Sequence, residues 1–72
     1  MSLVNGRLTQ AQRTEISDMR MLDAAIALIV ERGPAATSLK EVGLKAGYSR
    51  GLAGQRFGSK DNLMAFVLRN VG

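Results

Sequence analysis

The sequence predicts an all-α fold, a small domain of three to four helices. Three observations support this prediction: apolar residues recur at steps of three and four, glycines and hydroxyl residues stand where helices would end and begin, and no segment shows the alternation of a strand. Because 72 residues form at most one small domain with a thin core, we expect any function to lie on its surface.

The first helix is predicted from about Thr9 to Arg32. Its apolar residues share one face, which we expect to be buried: Ile16, Met19, Leu22, Ala25, Ile26 and Ile29. Gly33 and Pro34 end the helix, because glycine accepts the left-handed conformation after a helix and proline cannot continue it. Residues 1–8 lack periodicity and contain an Asn-Gly turn signal, which predicts a flexible N-terminal arm.

A second helix is predicted to begin after Ser38 and to run to about Ala46. Ser38 and Glu41 have the spacing of a capping box, in which each side chain accepts a hydrogen bond from the other residue's backbone amide. The expected inward positions are Leu39, Val42 and Ala46. Gly43 costs about 1 kcal/mol of helix propensity relative to alanine, and its lack of a side chain predicts close contact with another helix.

A third helix follows after a short connection. Gly47 ends the second helix, and Ser49 is expected to cap a helix from Arg50 to about Phe57. Two short helices joined by three residues that begin with glycine are typical of a helix-turn-helix.

The fourth helix is predicted from Lys60 to about Asn70, with Gly58 ending the third helix and Ser59 capping the fourth. Its apolar residues cover more of the helix surface than one small core can bury: Leu63, Met64, Phe66, Val67 and Leu68. This surplus predicts that the helix also contacts something beyond the domain.

Composition excludes several classes of function. The chain has no cysteine and no histidine, so we expect no disulfide, no metal site, no cofactor and no hydrolytic triad, and therefore no enzyme. No apolar run approaches the roughly 18 residues of a membrane span, and the first ten residues lack the apolar stretch of a signal peptide. A cytoplasmic location without membrane contact is the resulting expectation.

The positive charge is concentrated in one part of the chain. The net charge is +4; residues 40–60 contain five bases and one acid, whereas the rest of the chain contains five of each. Two interpretations fit this window, a solvated basic surface or a binding site for a polyanion.

The glycines at positions 47, 51, 54 and 58 also suggest a phosphate-binding loop of a nucleotide site. A P-loop has G-x-x-x-x-G-K-[ST] after a strand, but here Gly54 and Gly58 are one residue too close, a serine precedes the lysine and no strand precedes the segment. "GLAG" matches the G-x-x-G of a KH domain, which needs a sheet that this sequence does not predict. The glycines therefore indicate helix ends at 47 and 58.

Three segments in order, "MLDAAIALIVERG", "TSLKEVGLKAGYSRG" and "QRFGSKDNL", resemble the N-terminal DNA-binding domain of TetR-type (tetracycline-repressor-like) transcriptional regulators. The resemblance covers about residues 20 to 68 without gaps. It implies a homeodomain-like three-helix domain over residues 9–72, in which the helix following Ser49 enters the major groove of double-stranded DNA, and a fourth helix that begins the link to a further domain.

The resemblance implies roles for eight residues. Thr37, Ser38 and Lys60 would hold phosphates, whereas five residues would lie on or beside the recognition helix: Ser49, Arg50, Gly51, Gln55 and Arg56. Arginine to guanine and glutamine to adenine are the favoured bidentate pairings, so Arg50 and Gln55 are the expected base contacts.

Each of these residues also has a purely structural interpretation. Ser38 and Ser49 would serve equally well as helix caps, and Arg56 as a solvated cation. The positive charge of Lys60 lies in the first turn of a helix, where it interacts unfavourably with the helix dipole. Because this position does not stabilise the helix, contact with a phosphate is the interpretation that accounts for the lysine. Tyr48 and Phe57 are expected to pack in the core rather than to stack on bases.

Two departures from the family pattern stand in the recognition helix. The family's tyrosine, which usually touches a phosphate, is replaced by Gly54, and its small-then-large pair is reversed as Leu52-Ala53. Leu52 either meets DNA, where a thymine methyl is a suitable partner, or turns inward to replace the bulk that Ala53 lacks.

TetR-type regulators also carry a C-terminal helical domain that dimerises and binds the inducer, and this domain and its inducer site are absent from these 72 residues. The expected function is operator binding by part of a regulator that is a homodimer, a repressor released by a small-molecule inducer. The alternative is a helical protein-interaction module that has lost operator binding, with its basic face against an acidic protein.

Overall fold

Four α-helices form the domain in the computed structural model, which describes residues 8–71. Helix α1 spans Gln10–Arg32, α2 Leu39–Lys45, α3 Leu52–Phe57 and α4 Lys60–Asn70, and a short 3-10 turn covers Pro34–Ala36. The described range contains no strand, which confirms the all-α prediction. All but the last residue of the expected arm, residues 1–8, lie outside the described range.

Local capping explains where α1 and α4 begin. Thr9 and Gln12 form a reciprocal capping box at the start of α1, with hydrogen bonds of 3.0 and 2.8 Å between side chains and backbone amides. The Ser59 hydroxyl accepts from the amide of Asn62 at 3.2 Å, so α4 begins where the sequence predicts.

The expected capping box of α2 forms only in part. The Ser38 hydroxyl accepts from the amide of Glu41 at 3.2 Å, as predicted. The Glu41 carboxylate does not return to the amide of Ser38; one of its oxygens accepts from the Ser38 hydroxyl and the other from Arg32 at the end of α1. The ion pair with Arg32 draws the carboxylate away from the backbone and joins α1 to α2.

Helix α3 begins two residues later than predicted. Arg50 and Gly51 belong to a turn in which the amide of Leu52 donates to the carbonyl of Ser49 at 3.2 Å. Gly51 is therefore the N-cap residue, and within the described chain no side chain caps this helix, so the expected cap at Ser49 is wrong. The Ser49 carbonyl accepts a hydrogen bond within this tight turn, before the regular hydrogen bonds of the helix begin.

The buried face of α1 differs from the predicted one. Met21, Ala24, Ala25 and Leu28 are buried, and the predicted Leu22, Ile26 and Ile29 lie half-buried at the core edge. Ile16 and Met19 are 39% and 64% exposed. Met21, Ala25 and Leu28 directly precede the predicted Leu22, Ile26 and Ile29, so the face that meets the core is turned toward them by up to about 100°.

The other helices complete the core, although Leu39 and Ala46, two of the three inward positions expected in α2, are only half-buried. Val42 of α2 and Leu63 of α4 are fully buried, and Ala53 and Phe57 bring α3 into the same core. The rings of Phe57 and Phe66 lie 5.0 Å apart between centroids. This core fixes α2 and α3 beside each other on one side of α1.

Candidate nucleic-acid interface

Helices α2 and α3 and their connection form the helix-turn-helix. Gly47 has a φ of 92°, a conformation that glycine adopts readily, and the amide of Tyr48 donates to the carbonyl of Gly43 at 3.0 Å. A Cβ on Gly43 would lie 2.7 Å from the carbonyl oxygen of Ser49, so only glycine permits this approach of the turn to α2. The close contact predicted at Gly43 is present.

Four predicted site residues are exposed around the start of α3. Ser49, Arg50 and Gly51 occupy the turn and Gln55 lies on the outer side of the helix. The turn and α3 therefore expose one hydroxyl, one guanidinium, one carboxamide and an open glycine within seven residues of the chain. These are donors and acceptors suited to phosphates and to base edges in the major groove.

Two predicted phosphate contacts lie next to the start of α2 and differ in access. Thr37 is 1% exposed, and its hydroxyl donates to the carbonyl of Gly33 at 2.9 Å. Ser38 is half-buried as the N-cap residue, and its hydroxyl interacts with Glu41. Thr37 thus holds the segment that leads into α2, while Ser38 reaches the surface.

Lys60 lies close to this same segment. Its ammonium group donates to the carbonyl of Ala35 in the 3-10 turn at 3.2 Å, although the two residues are 25 positions apart. This hydrogen bond joins the N-terminal end of α4 to the 3-10 turn that precedes α2. The Ser38 hydroxyl already donates to Glu41, so in this part of the surface Lys60 is the cation that an anion can contact.

Arg56, another predicted DNA contact, is already engaged within the protein. Its Nε and one terminal nitrogen each donate to an oxygen of Asp18 on α1 at 2.8 Å, a bidentate ion pair. The guanidinium carbon lies 4.9 Å from the centroid of the Phe57 ring. The hydrogen bond to Asp18 raises the pKa of Arg56 above its ordinary value, and the charge of Asp18 acts in the same direction.

The reversed Leu52-Ala53 pair is explained by the packing of α3. Ala53 is fully buried, with its Cβ 3.8 Å from the position that a Cβ on Gly43 would take. Leu52 is half-buried and packs against the core cluster, which is the inward alternative. Phe57 is buried and Tyr48 is half-buried with Arg20 5.9 Å above its ring, so both aromatic residues pack within the domain.

Sequence reasoning missed two features. The partner of Arg56 is 38 residues away, and no local pattern links the two positions. An apolar face also lies between the second half of α1 and α4, with Val30 and Leu68 82% and 73% exposed. The apolar surplus of α4 indicated this face; its α1 half contains Ile26 and Ile29 of the predicted stripe, and Val30 lies outside that stripe.

The described residues hold no cluster of acidic or other ligating side chains that would bind a metal ion. Across residues 8–71, every helix is too short or too polar to cross a bilayer.

The fold and these exposed residues define a class of protein, a helix-turn-helix domain with polar and basic side chains in and around α3. The family model of bacterial regulatory proteins of the tetR family matches residues 21–67. The chain belongs to this family.

Curated relatives are named as HTH-type transcriptional regulators. The chain is 42% identical over 52 residues to the HTH-type transcriptional regulator Mb3439c of Mycobacterium bovis and to the HTH-type transcriptional repressor Rv3405c of Mycobacterium tuberculosis. Each match covers 72% of this chain and 28% of the relative, so the chain spans less than a third of their length. No solved structure matches significantly.

Proposed function

We propose that the chain binds double-stranded DNA in a sequence-specific manner, as the operator-binding part of a transcriptional repressor. The observation that carries the proposal is the exposed set of Ser49, Arg50, Gly51 and Gln55 at the start of α3, inside the window that holds the whole excess of positive charge. Membership of a regulatory family and the printed name of the Mycobacterium tuberculosis relative support the same function.

Within this proposal, α3 lies in the major groove and its neighbours hold the backbone. Arg50 and Gln55 contact base edges, because their side chains form bidentate pairs with guanine and adenine. Ser49 and Lys60 hold phosphates, Ser38 does so when its hydroxyl turns from Glu41 to a phosphate oxygen, and Gly51 lets the backbone approach the duplex closely. Thr37, with its hydroxyl bonded to Gly33, orients the start of α2 without touching DNA.

The remaining parts of the proposal concern a full-length regulator. There the apolar face between α1 and α4 packs against a C-terminal domain that forms a homodimer and binds a small-molecule inducer, whose site lies outside these 72 residues. The proposed protein acts in the cytoplasm, uses no cofactor and catalyses no reaction.

The test is selection of bound sequences from random duplexes, followed by titration of the best site and of single-base-pair variants. Arg50→Ala and Gln55→Ala should each relax the preference at one base pair by about 1 to 3 kcal/mol, because a bidentate partner is lost. Arg69→Ala is the matched control: it removes one exposed positive charge from the far end of α4 and should leave base preference unchanged. A uniform loss over all duplexes would assign Arg50 or Gln55 to the DNA backbone.

Gly54 favours a second candidate, a helical module that binds an acidic protein through its basic face. The family's tyrosine is missing at this position, and a Cβ there would meet no neighbour among the described residues within 4 Å. Binding to an acidic protein by a chain that shows no sequence preference among duplexes would support this candidate.

A further inference from the structure

The ion pair between Asp18 and Arg56 is the direct polar link between α1 and α3. Both oxygens of the carboxylate accept from the guanidinium at 2.8 Å. The side chain of Asp18 is 19% exposed and that of Arg56 41%, and Arg56 lies over the Phe57 ring and within 5.8 Å of the Phe66 centroid. The guanidinium is therefore held on two sides, by a carboxylate and by aromatic rings.

Helix α3 has few other means of fixing its orientation. It has six residues, an internal glycine and, within the described chain, no side-chain cap. Its buried residues, Ala53 and Phe57, are four positions apart and form one stripe along the helix, and Leu52, half-buried against the core, is the apolar contact beside it. Arg56 lies one turn after Leu52 on the same side, about 100° around the helix from Phe57. It adds a bidentate contact to α1 on the side of α3 where the apolar packing is only partial.

A small roll matters for base recognition. Rotation by roughly 20° moves a group about 5 Å from the helix axis by about 1.7 Å. Hydrogen bonds between nitrogen and oxygen tolerate a range of only about 0.5 Å. The contact proposed for Gln55, which lies on α3, therefore requires a fixed rotation of this helix.

We propose that Arg56 is a positioning residue: its pair with Asp18 fixes the rotation of α3 and so directs Gln55 toward its base pair. This inference rests on the DNA-binding function proposed above. It assigns Asp18, a carboxylate on a different helix, a role in sequence specificity.

The competing role for Arg56 is a phosphate contact that Asp18 masks. The two roles predict opposite results for Asp18→Asn. If Asp18 masks a phosphate contact, the substitution frees a cation, strengthens binding to all duplexes alike and steepens the salt dependence by about one phosphate. If the pair positions α3, the substitution lowers the discrimination between duplexes even though it makes the protein more positive.

The experiment compares Asp18→Asn and Arg56→Lys with Glu15→Gln, which removes an exposed carboxylate from the same helix one turn earlier. For each variant, affinity is measured for the selected duplex and for a duplex altered at the preferred base pairs, at several salt concentrations. The ratio of the two affinities should fall about fivefold or more for Asp18→Asn and Arg56→Lys, since bidentate base contacts lose their geometry. Glu15→Gln should keep the wild-type ratio.

Arg56→Lys separates charge from geometry, because lysine keeps the cation but lacks the planar fork that binds a carboxylate at two points. Circular dichroism gives the unfolding temperature of each variant, and the DNA titrations are done below that temperature. If Asp18→Asn does not fold, the result for Arg56→Lys decides between the two roles. A wild-type ratio in folded Arg56→Lys and Asp18→Asn overturns the positioning role. Equal affinity of the unaltered chain for both duplexes overturns the proposed function and this inference with it.

Discussion

Gly43 shows how closely the turn of the helix-turn-helix approaches α2. The position of a Cβ at Gly43 would be 2.7 Å from the carbonyl oxygen of Ser49, and this neighbour is backbone, not the end of a flexible side chain. A side chain there would push away the turn that carries Ser49 and Arg50.

Gly43→Ala should therefore destabilise the domain, in spite of the better helix propensity of alanine. We expect a loss of about 1 to 3 kcal/mol in the free energy of unfolding, the usual cost of forcing extra atoms into a packed site. Gly54→Ala is the matched control, because its Cβ meets nothing within 4 Å among the described residues, and should gain up to about 1 kcal/mol. Urea unfolding followed by circular dichroism measures both, and equal midpoints for the two variants would contradict the packing at Gly43.

Lys60 provides a second test at the residue scale. If about four phosphates are neutralised per domain, the logarithm of the binding constant should fall with the logarithm of salt concentration with a slope near about −3.6. Lys60→Ala should weaken binding to all duplexes alike and make the slope shallower by about one unit. Arg69→Ala removes the same charge far from the site and should change the slope little. An unchanged slope for Lys60→Ala would remove this residue from the phosphate contacts.

Among the helices, α3 is the least supported by its own sequence. It is six residues long and contains Gly54, which costs about 1 kcal/mol of propensity relative to alanine. Its structure depends on Ala53 and Phe57 in the core and on the pair between Arg56 and Asp18.

Gly54→Tyr restores the residue usual in the family and tests how α3 docks. We expect tighter DNA binding, because the tyrosine hydroxyl gains a phosphate, and equal or greater stability, because a glycine inside a helix is replaced. Gly54→Phe is the control, since it has the same ring without the hydroxyl. Weaker DNA binding by a folded Gly54→Tyr would show that α3 docks differently from the family's recognition helix.

The sequence predicts the limits of a helix well when the residues that determine those limits are adjacent in the chain. The limits of α4 match because Gly58 and Ser59 act on adjacent residues, and the start of α1 differs by one residue. The start of α3 was wrong because the turn after Ser49 forms against α2. Arg56 shows the same limit within the site: its residue type indicated DNA, whereas its bonds go to a carboxylate 38 positions away.

For the whole molecule, the two exposed surfaces have different character. The polar surface around the start of α3 lies on the helix-turn-helix, and the apolar face lies between α1 and α4, where Val30 and Leu68 are exposed. The described residues offer no element that would hold two recognition helices at a set distance.

We therefore expect the 72-residue chain to be mostly monomeric and to bind an operator poorly. Helix-turn-helix dimers place two recognition helices about 34 to 36 Å apart, one turn of the duplex. Tethering such modules can increase affinity by about 10² to 10⁴. Sedimentation and operator titration of the chain, beside a version fused to a dimerising coiled coil, measure this difference. A dimeric chain that equals the fusion in affinity would contradict the expectation.

The separation of exposed site residues from the core has a consequence for how operator preference diverges. Arg50, Gly51 and Gln55 are exposed, while Val42, Ala53 and Leu63 hold the fold. Surface substitutions usually change stability by only about 0.5 kcal/mol. Mutations at the three exposed positions can therefore accumulate without loss of folding, and under the proposed function paralogues acquire new target sites while retaining one scaffold. The same property makes these positions suitable for a randomised library in which almost every member folds and only the selected duplex changes.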